Sequence, residues 1–193
     1  MRIVVFNHMS LDGVMQSPAG ADEDPRDGFD RGGWAAANAD TILNEFAGSQ
    51  MARGGGGLLL GRRSYEQILG FWNTQPDSPF TPVLNNTPKY VASTTLHEPL
   101  PWPNSTLLND DVPAAVAALK EREGGAITIL GSGALIQSLL PHDLIDVFTL
   151  MIHPVVLGRG RKLFAEGATY APLELTESIT TTTGVVIATY ERR

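Results

Sequence analysis

Two features of the sequence predict an α/β fold with a mixed sheet. Strands alternate with helices through residue 140, which implies a largely parallel sheet with helices on both faces. The strand-rich ending then adds antiparallel strands at one edge. The first strand is expected at residues 2–9, "RIVVFNHM", and reads as buried. A stretch rich in Gly, Pro and Asp runs on to Gly33, long enough to predict a functional loop. Residues 38–52 carry Ile42, Leu43, Phe46 and Met51 at helical spacing. "GGGGLLLG" predicts a short central strand at 57–61, and "RRSYEQILGFW" a helix from about residue 62.

Further strands are expected at 89–94 and 105–108, with an Ala-rich helix at 111–122 capped by Asp110 or Asp111 and carrying Pro113 in its first turn. β-Branched "AITIL" at 126–130 predicts a strand, followed by a helix at 132–140. "LIDVFTLMIHPVVL" (144–157) is a long strand broken or bent at Pro154, and two threonine-rich strands turning near Gly184 close the chain. No internal repeat or linker divides the sequence, so residues 1–193 are expected to form one domain.

Composition narrows the function. Hydrophobic residues at 42% and charged residues at 18% are ordinary for a globular protein. No stretch approaches the roughly 20 apolar residues of a membrane span, and the N-terminal apolar run is too short for a signal peptide; a cytoplasmic protein is expected. The absence of cysteine removes disulfides, thiolate nucleophiles and cysteine-held metals. The four histidines, His8, His97, His142 and His153, are widely spaced, so a metal site would need long-range assembly, and none is expected. A formal charge of −7 argues against a nucleic-acid or anionic-membrane surface. Against it two basic clusters stand out, Arg62-Arg63 and Arg159-Gly-Arg161-Lys162.

Three strand ends carry anion-binding groups. "ILGSGALIQSLLP" takes a strand through Gly131, Ser132 and Gly133 straight into a helix, which suits either a tight turn or a pyrophosphate held on bare amides. It is not a full dinucleotide fingerprint, because Ile136 stands where a third glycine would be. In "LLLGRRSYE", Arg62 and Arg63 fall in a helix's first turn, where they oppose its dipole unless an anion compensates. At the third end, Ser93-Thr94-Thr95 puts hydroxyls where an NAD site would place a carboxylate, which with the arginines suits a 2′-phosphate; ordinary turn chemistry would use the same residues. In an open α/β sheet ligands gather along this edge.

"SLDGVMQSPAG", "LLLGRRSYE", "PKYVAST", "ITILGSGALIQSLLP" and "DVFTLMIHPVVLGRGRKLF" occur in the order and spacing of the dihydrofolate reductase-like superfamily. Over nearly its whole length the chain resembles the reductase domain of the bifunctional riboflavin-biosynthesis deaminase-reductase and its stand-alone relatives. The resemblance implies an eight-stranded mixed sheet flanked by helices in three layers, NADPH, and hydride transfer to a small nitrogen heterocycle, pterin-like or phosphoribosylaminouracil-like. It implies that Gly61, Arg62, Arg63 and Ser64 meet the adenosine end and its 2′-phosphate, with Ser93 and Thr94 alongside. Gly131, Ser132, Gly133 and Ala134 would hold the pyrophosphate, and Leu135 would pack near the cofactor. Asp12 would lie where nicotinamide and substrate meet.

The chain departs from the pattern at Val14, where the riboflavin enzymes tend to have lysine, and it carries no deaminase half. No residue matches the helix carboxylate that holds the pterin in folate reductases, although Asp40 or Glu45 could stand in. Asp12 is the candidate to orient substrate or relay a proton, the alternative being an Asx-turn that closes the first strand. The loop Arg159–Lys162 suits either a substrate phosphate or a solvated bend, and the acidic stretch 22–30 either a solvated loop or a lid. Trp34, Phe71 and Trp72 suit a substrate wall or the core. Two functions stay open, an NADPH-dependent reductase and a non-catalytic, dimer-forming nucleotide-binding module; a flavin-binding reductase is a third. A homodimer is expected from the exposed C-terminal edge.

Overall fold

The computed structural model describes residues 1–74, 78 and 80–193. Its centre is an eight-stranded sheet: β1 (Ile3–Ser10), β2 (Gly55–Gly61), β3 (Lys89–Ala92), β4 (Ser105–Leu108), β5 (Ala126–Leu130), β6 (Val147–His153), β7 (Leu173–Thr180) and β8 (Val186–Arg192). The strand order is β4-β3-β2-β5-β1-β6-β8-β7. The pairings from β4 across to β6 are all parallel, and the β6–β8 and β8–β7 pairings are antiparallel. The expected mixed sheet with an antiparallel C-terminal edge is therefore present. Strand β6 is shorter than its apolar run, because Pro154 cannot donate to the ladder and pairing stops at His153.

The helices are α1 (Thr41–Gly54), α2 (Arg62–Asn73), α3 (Phe80–Asn86), α4 (Val112–Lys120) and α5 (Gly133–Leu139). Strand alternation sorts them into two layers. Leu59 packs with Val5, Ile127 and Ile129 against Val116 and Leu119 of α4 and Ile136 and Leu139 of α5. The intervening Leu58 and Leu60 face the opposite way, onto Tyr65 and Leu69 of α2. Phe6, on that same second face, joins Leu43 and Phe46 of α1. The result is helix, sheet and helix in three layers.

The sequence pattern does not reveal α3. It is short and carries Pro82 inside it, so periodicity is weak. Its C-terminal end is held by Lys89, whose fully buried ammonium donates to the carbonyls of Leu84 and Thr87, each at 2.6 Å.

Gly56 has a steric reason. A Cβ on Gly56 would lie 2.3 Å from Gly125 O and 2.7 Å from Ala126 O, backbone that cannot swing away. Gly56→Ala should therefore destabilise by about 1–3 kcal/mol, lowering the melting temperature by about 2–10 °C. The control is Gly48 within α1, where nothing lies within 4 Å of an added Cβ. Gly48→Ala should raise stability by up to about 1 kcal/mol, and paired thermal melts check both.

Candidate functional site

The C-terminal ends of β3, β2, β5 and β1 open onto a cleft of about 900 Å³, within the size range of cofactor sites. Every residue predicted to bind cofactor, Gly61, Arg62, Arg63, Ser64, Ser93, Thr94 and Gly131 to Leu135, lines it. They follow the sheet order, hydroxyls of β3 at one end, arginines after β2, then glycines after β5. Strand spacing of about 4.8 Å puts β3 and β1 roughly 14 Å apart.

The turn after β5 is built by side chains from its neighbours. Gly131 has φ +60° and Ser132 has φ +58°, two successive left-handed residues. Asn7 of β1 brackets the first residue of the turn: its Nδ2–H donates to Gly131 O (3.1 Å), and Gly131 N–H donates to its Oδ1 (2.7 Å). Ser64 Oγ accepts from Ser132 N–H (2.9 Å), and Ser132 Oγ accepts from Gly61 N–H (2.9 Å). These bonds correct part of the expectation: the amides of Gly131 and Ser132 are occupied, and the Ser64 and Ser132 hydroxyls staple β2 to β5. The first helical bond is Ile136 N–H to Ser132 O (3.0 Å), so the amides ahead of the ladder are those of Gly133, Ala134 and Leu135.

Capping separates the helices by position. Asp40 caps α1 through Leu43 N–H (2.8 Å), and Asp111 caps α4 through Ala114 N–H (3.0 Å). Helices α2 and α5, whose first residues line the cleft, have no side-chain cap. Arg62 and Arg63 stand in the first turn of uncapped α2. Arg62 reaches Glu66 at 3.5 Å, and Arg63 is exposed with no ion pair among the described residues. Two helix N-termini and two cations thus converge on one space, the electrostatics of an anion site.

Ser93 is largely spent on local structure, since its Oγ accepts from the amides of Thr95 (3.1 Å) and Leu96 (3.0 Å). Thr94 is exposed on the cleft wall. Among the aromatics, Trp72 lines the cleft, while Trp34 donates to Gln16 O (2.8 Å) behind it.

Asp12 is the main departure. It is not among the residues lining the cleft. Its carboxylate accepts from Leu157 N–H (3.0 Å), Ser10 Oγ–H (2.7 Å) and Gly158 N–H (2.7 Å). The Leu157 amide, followed by the Ser10 hydroxyl, holds its pKa down at about 2. So acidic a group is a poor proton relay near neutrality; it braces two loops. The same loops pair their charges: Arg161 meets Asp27 at 2.8 Å and Arg159 meets Asp30 at 3.7 Å. Asp27 and Asp30 are thus the partners of the basic segment 159–162, while Glu23, Asp24, Arg26, Arg161 and Lys162 line the cleft.

Two features of the site carry no signal in the sequence pattern. Asn7 gave no signal beyond being polar in an apolar strand. The other feature is a contact between His8, on the cleft wall, and fully buried His153, with Nδ1 and Nε2 2.8 Å apart. Among the described residues no group of three or more His, Asp or Glu side chains is placed to hold a metal, and no helix is long and apolar enough to cross a membrane.

The mostly parallel sheet with helices on both faces and an antiparallel C-terminal edge has a dihydrofolate reductase-like fold. Residues 2–187 match the family model described as the RibD C-terminal domain, and the chain belongs to that family. It is 32% identical over 139 residues to YyaP of Bacillus subtilis, a protein described as uncharacterized, covering 69% of this chain and 72% of YyaP. A protein of Shewanella sp. PV-4 described with riboflavin biosynthesis superposes with a TM-score of 0.70 at 25% identity, covering 100% of this chain and 99% of that one. Dihydrofolate reductase from Enterococcus faecalis, solved with NADP(H) and RAB-propyl, gives a TM-score of 0.60 at 15% identity, over 100% and 96% of the two chains.

The brace assigned to Asp12 has a pH signature. A depressed folded-state pKa means its contribution is complete above the ordinary carboxylate value of 3.8 and is lost as pH falls through about 2. Asp12→Asn should melt about 2–4 °C below the wild type at pH 7, the size of a lost cap. The gap should close between about pH 4 and pH 2, which melts across that range will check.

Proposed function

We propose that the protein is an NADPH-dependent oxidoreductase that reduces a small nitrogen heterocycle. The observation that carries this reading is the pair of uncapped helices, α2 and α5, that begin on one cleft beside Arg62 and Arg63, while α1 and α4 carry aspartate caps. The residues fit an anionic dinucleotide. Arg62 and Arg63 would meet a 2′-phosphate, with Thr94 and the turn built by Ser93 beside them. Amides of Gly133, Ala134 and Leu135 would meet the pyrophosphate, on a turn that Asn7, Ser64 and Ser132 hold in shape. A Cβ on Gly133 would lie 2.7 Å from Met15 Sδ, so the absence of a side chain here lets the Met15 thioether pack directly on the turn.

Bound NADPH supplies a hydride from its nicotinamide ring; the protein supplies binding, orientation and shielding from water. Family membership and the dinucleotide-bearing reductase relative support the same reading. The cleft carboxylates are tied up: Glu23 accepts from the Ala19 amide (2.8 Å), and Asp24 pairs with Arg26 (2.6 Å). Proton delivery is therefore assigned to water rather than to an aspartate. A homodimer through the outer strand β7 completes the proposal, and light scattering at twice the 20.7 kDa chain mass is the expected result.

NADPH should raise the melting temperature more than NADH at equal concentration. Replacing Arg62 and Arg63 by Ala should weaken NADPH by about tenfold or more and NADH far less, by titration calorimetry, the scale of a lost charge-assisted hydrogen bond. Equal loss for both cofactors would overturn the assignment of the arginines. Oxidation of NADPH with a panel of pterins and aminopyrimidines tests turnover, and tight binding without turnover would point to a non-catalytic module.

A further inference from the structure

The cleft continues past the glycine turn to the end of β1, where His8 lines it. Parallel pairing sets Ser10 opposite His153 and His8 opposite Met151, so the two histidines share a face two residues apart on adjacent strands. Their rings lie 5.0 Å apart, joined by the 2.8 Å contact between His8 Nδ1 and His153 Nε2. His153 is fully buried, with Trp34 set edge-on at 5.3 Å, and its Nδ1 has no hydrogen-bond partner. His8 Nε2 has no partner among the described residues either, yet it is not sealed from solvent, and His8 lines the cleft.

The unpartnered atom decides the proton positions. Either His153 donates from Nε2 and keeps a bare Nδ1, or His8 donates and His153 buries an N–H with no acceptor. Orphaned buried N–H groups are the rarer of the two. The proton therefore sits on His153 Nε2, His8 Nδ1 accepts it, and the one proton of neutral His8 is on Nε2, toward the cleft. Burial first and the neighbouring ring second push the His8 pKa down to about 4, and burial lowers that of His153, so both rings are neutral near pH 7.

We infer that His8 is a hydrogen-bond donor to the substrate, contacting a carbonyl oxygen or ring nitrogen of the hydride acceptor, and that His153 is a positioning residue that fixes its tautomer. This rests on the reductase reading for which ligand sits there, though not for the proton positions. A neutral donor polarises the acceptor atom without giving up its proton. It suits an uncharged planar heterocycle better than an anionic one, for which an imidazolium would serve.

The test uses the full chain labelled with ¹⁵N-histidine. The expected spectrum has His8 protonated at Nε2 and bare at Nδ1 between pH 6 and pH 8, and His153→Leu should mix the two His8 tautomers. Added 2-pyridone, a minimal planar carbonyl probe, should shift the His8 Nε2–H signal in the NADPH-loaded protein, whereas fluorobenzene should not. His8→Leu should bind 2-pyridone about three- to tenfold more weakly, and His8→Gln, which keeps an N–H donor, should stay close to wild type. NADPH affinity should be unchanged in both variants. A proton on His8 Nδ1, an imidazolium signal from His8 at pH 7, or equal 2-pyridone binding by His8→Leu would overturn the inference. Failure of the wild type to bind NADPH, with the His8 response to 2-pyridone intact in the unloaded protein, would instead overturn the cofactor assignment and leave the donor role standing.

Discussion

The site depends on a double hydrogen bond between the Asn7 side-chain amide and the backbone N–H and C=O of Gly131. Where β5 ends, its neighbour β1 would ordinarily satisfy the backbone through the ladder. Asn7 takes over with a side chain of the same chemistry, which lets the chain turn left-handed at Gly131 and Ser132 without leaving polar groups orphaned. The turn aims the start of α5 at the cleft, and the Ser64 and Ser132 hydroxyls lock it to the start of α2. Two strand-to-helix junctions are thereby held in one geometry, and both open onto the same cleft. Because these groups are satisfied before any ligand arrives, the site is organised in advance and binding does not have to order it.

Sheet register does the rest. One face of β1 carries Asn7 to the α5 layer, and the next residue, His8, falls on the α1 side and meets His153. A single strand end thus contributes both to the glycine turn and to the histidine contact on the cleft wall, one residue apart. The mixed polar and apolar character of β1 near its end follows from that double duty.

Much of this was legible in the chain. β-Branched runs, a proline-terminated strand and alternating apolar faces mark the sheet, and the glycine and arginine positions after β2 and β5 mark the cleft. Legibility failed for contacts that only register creates. His8 and His153 lie on strands far apart in sequence, and no local spacing signals their meeting. Helix α3 was hidden by Pro82 and its short length. Asp12 illustrates a different failure: its position beside the site was readable, but the two loop amides that absorb its carboxylate belong to residues 157 and 158 and appear only in the folded chain.

The two walls of the cleft are made of different materials. The rear wall consists of strand ends tied by half-buried, uncharged hydrogen bonds. At the front, the loop carrying Arg159 and Arg161 is fastened to the acidic loop partly by exposed ion pairs, each individually weak and screened over about 8 Å at physiological ionic strength. Added salt therefore loosens one wall and not the other. Ionic strength thus sets how firmly the two loops are fastened to each other, while the rear wall's hydrogen bonds, and the shape they give the glycine turn, stay as they are.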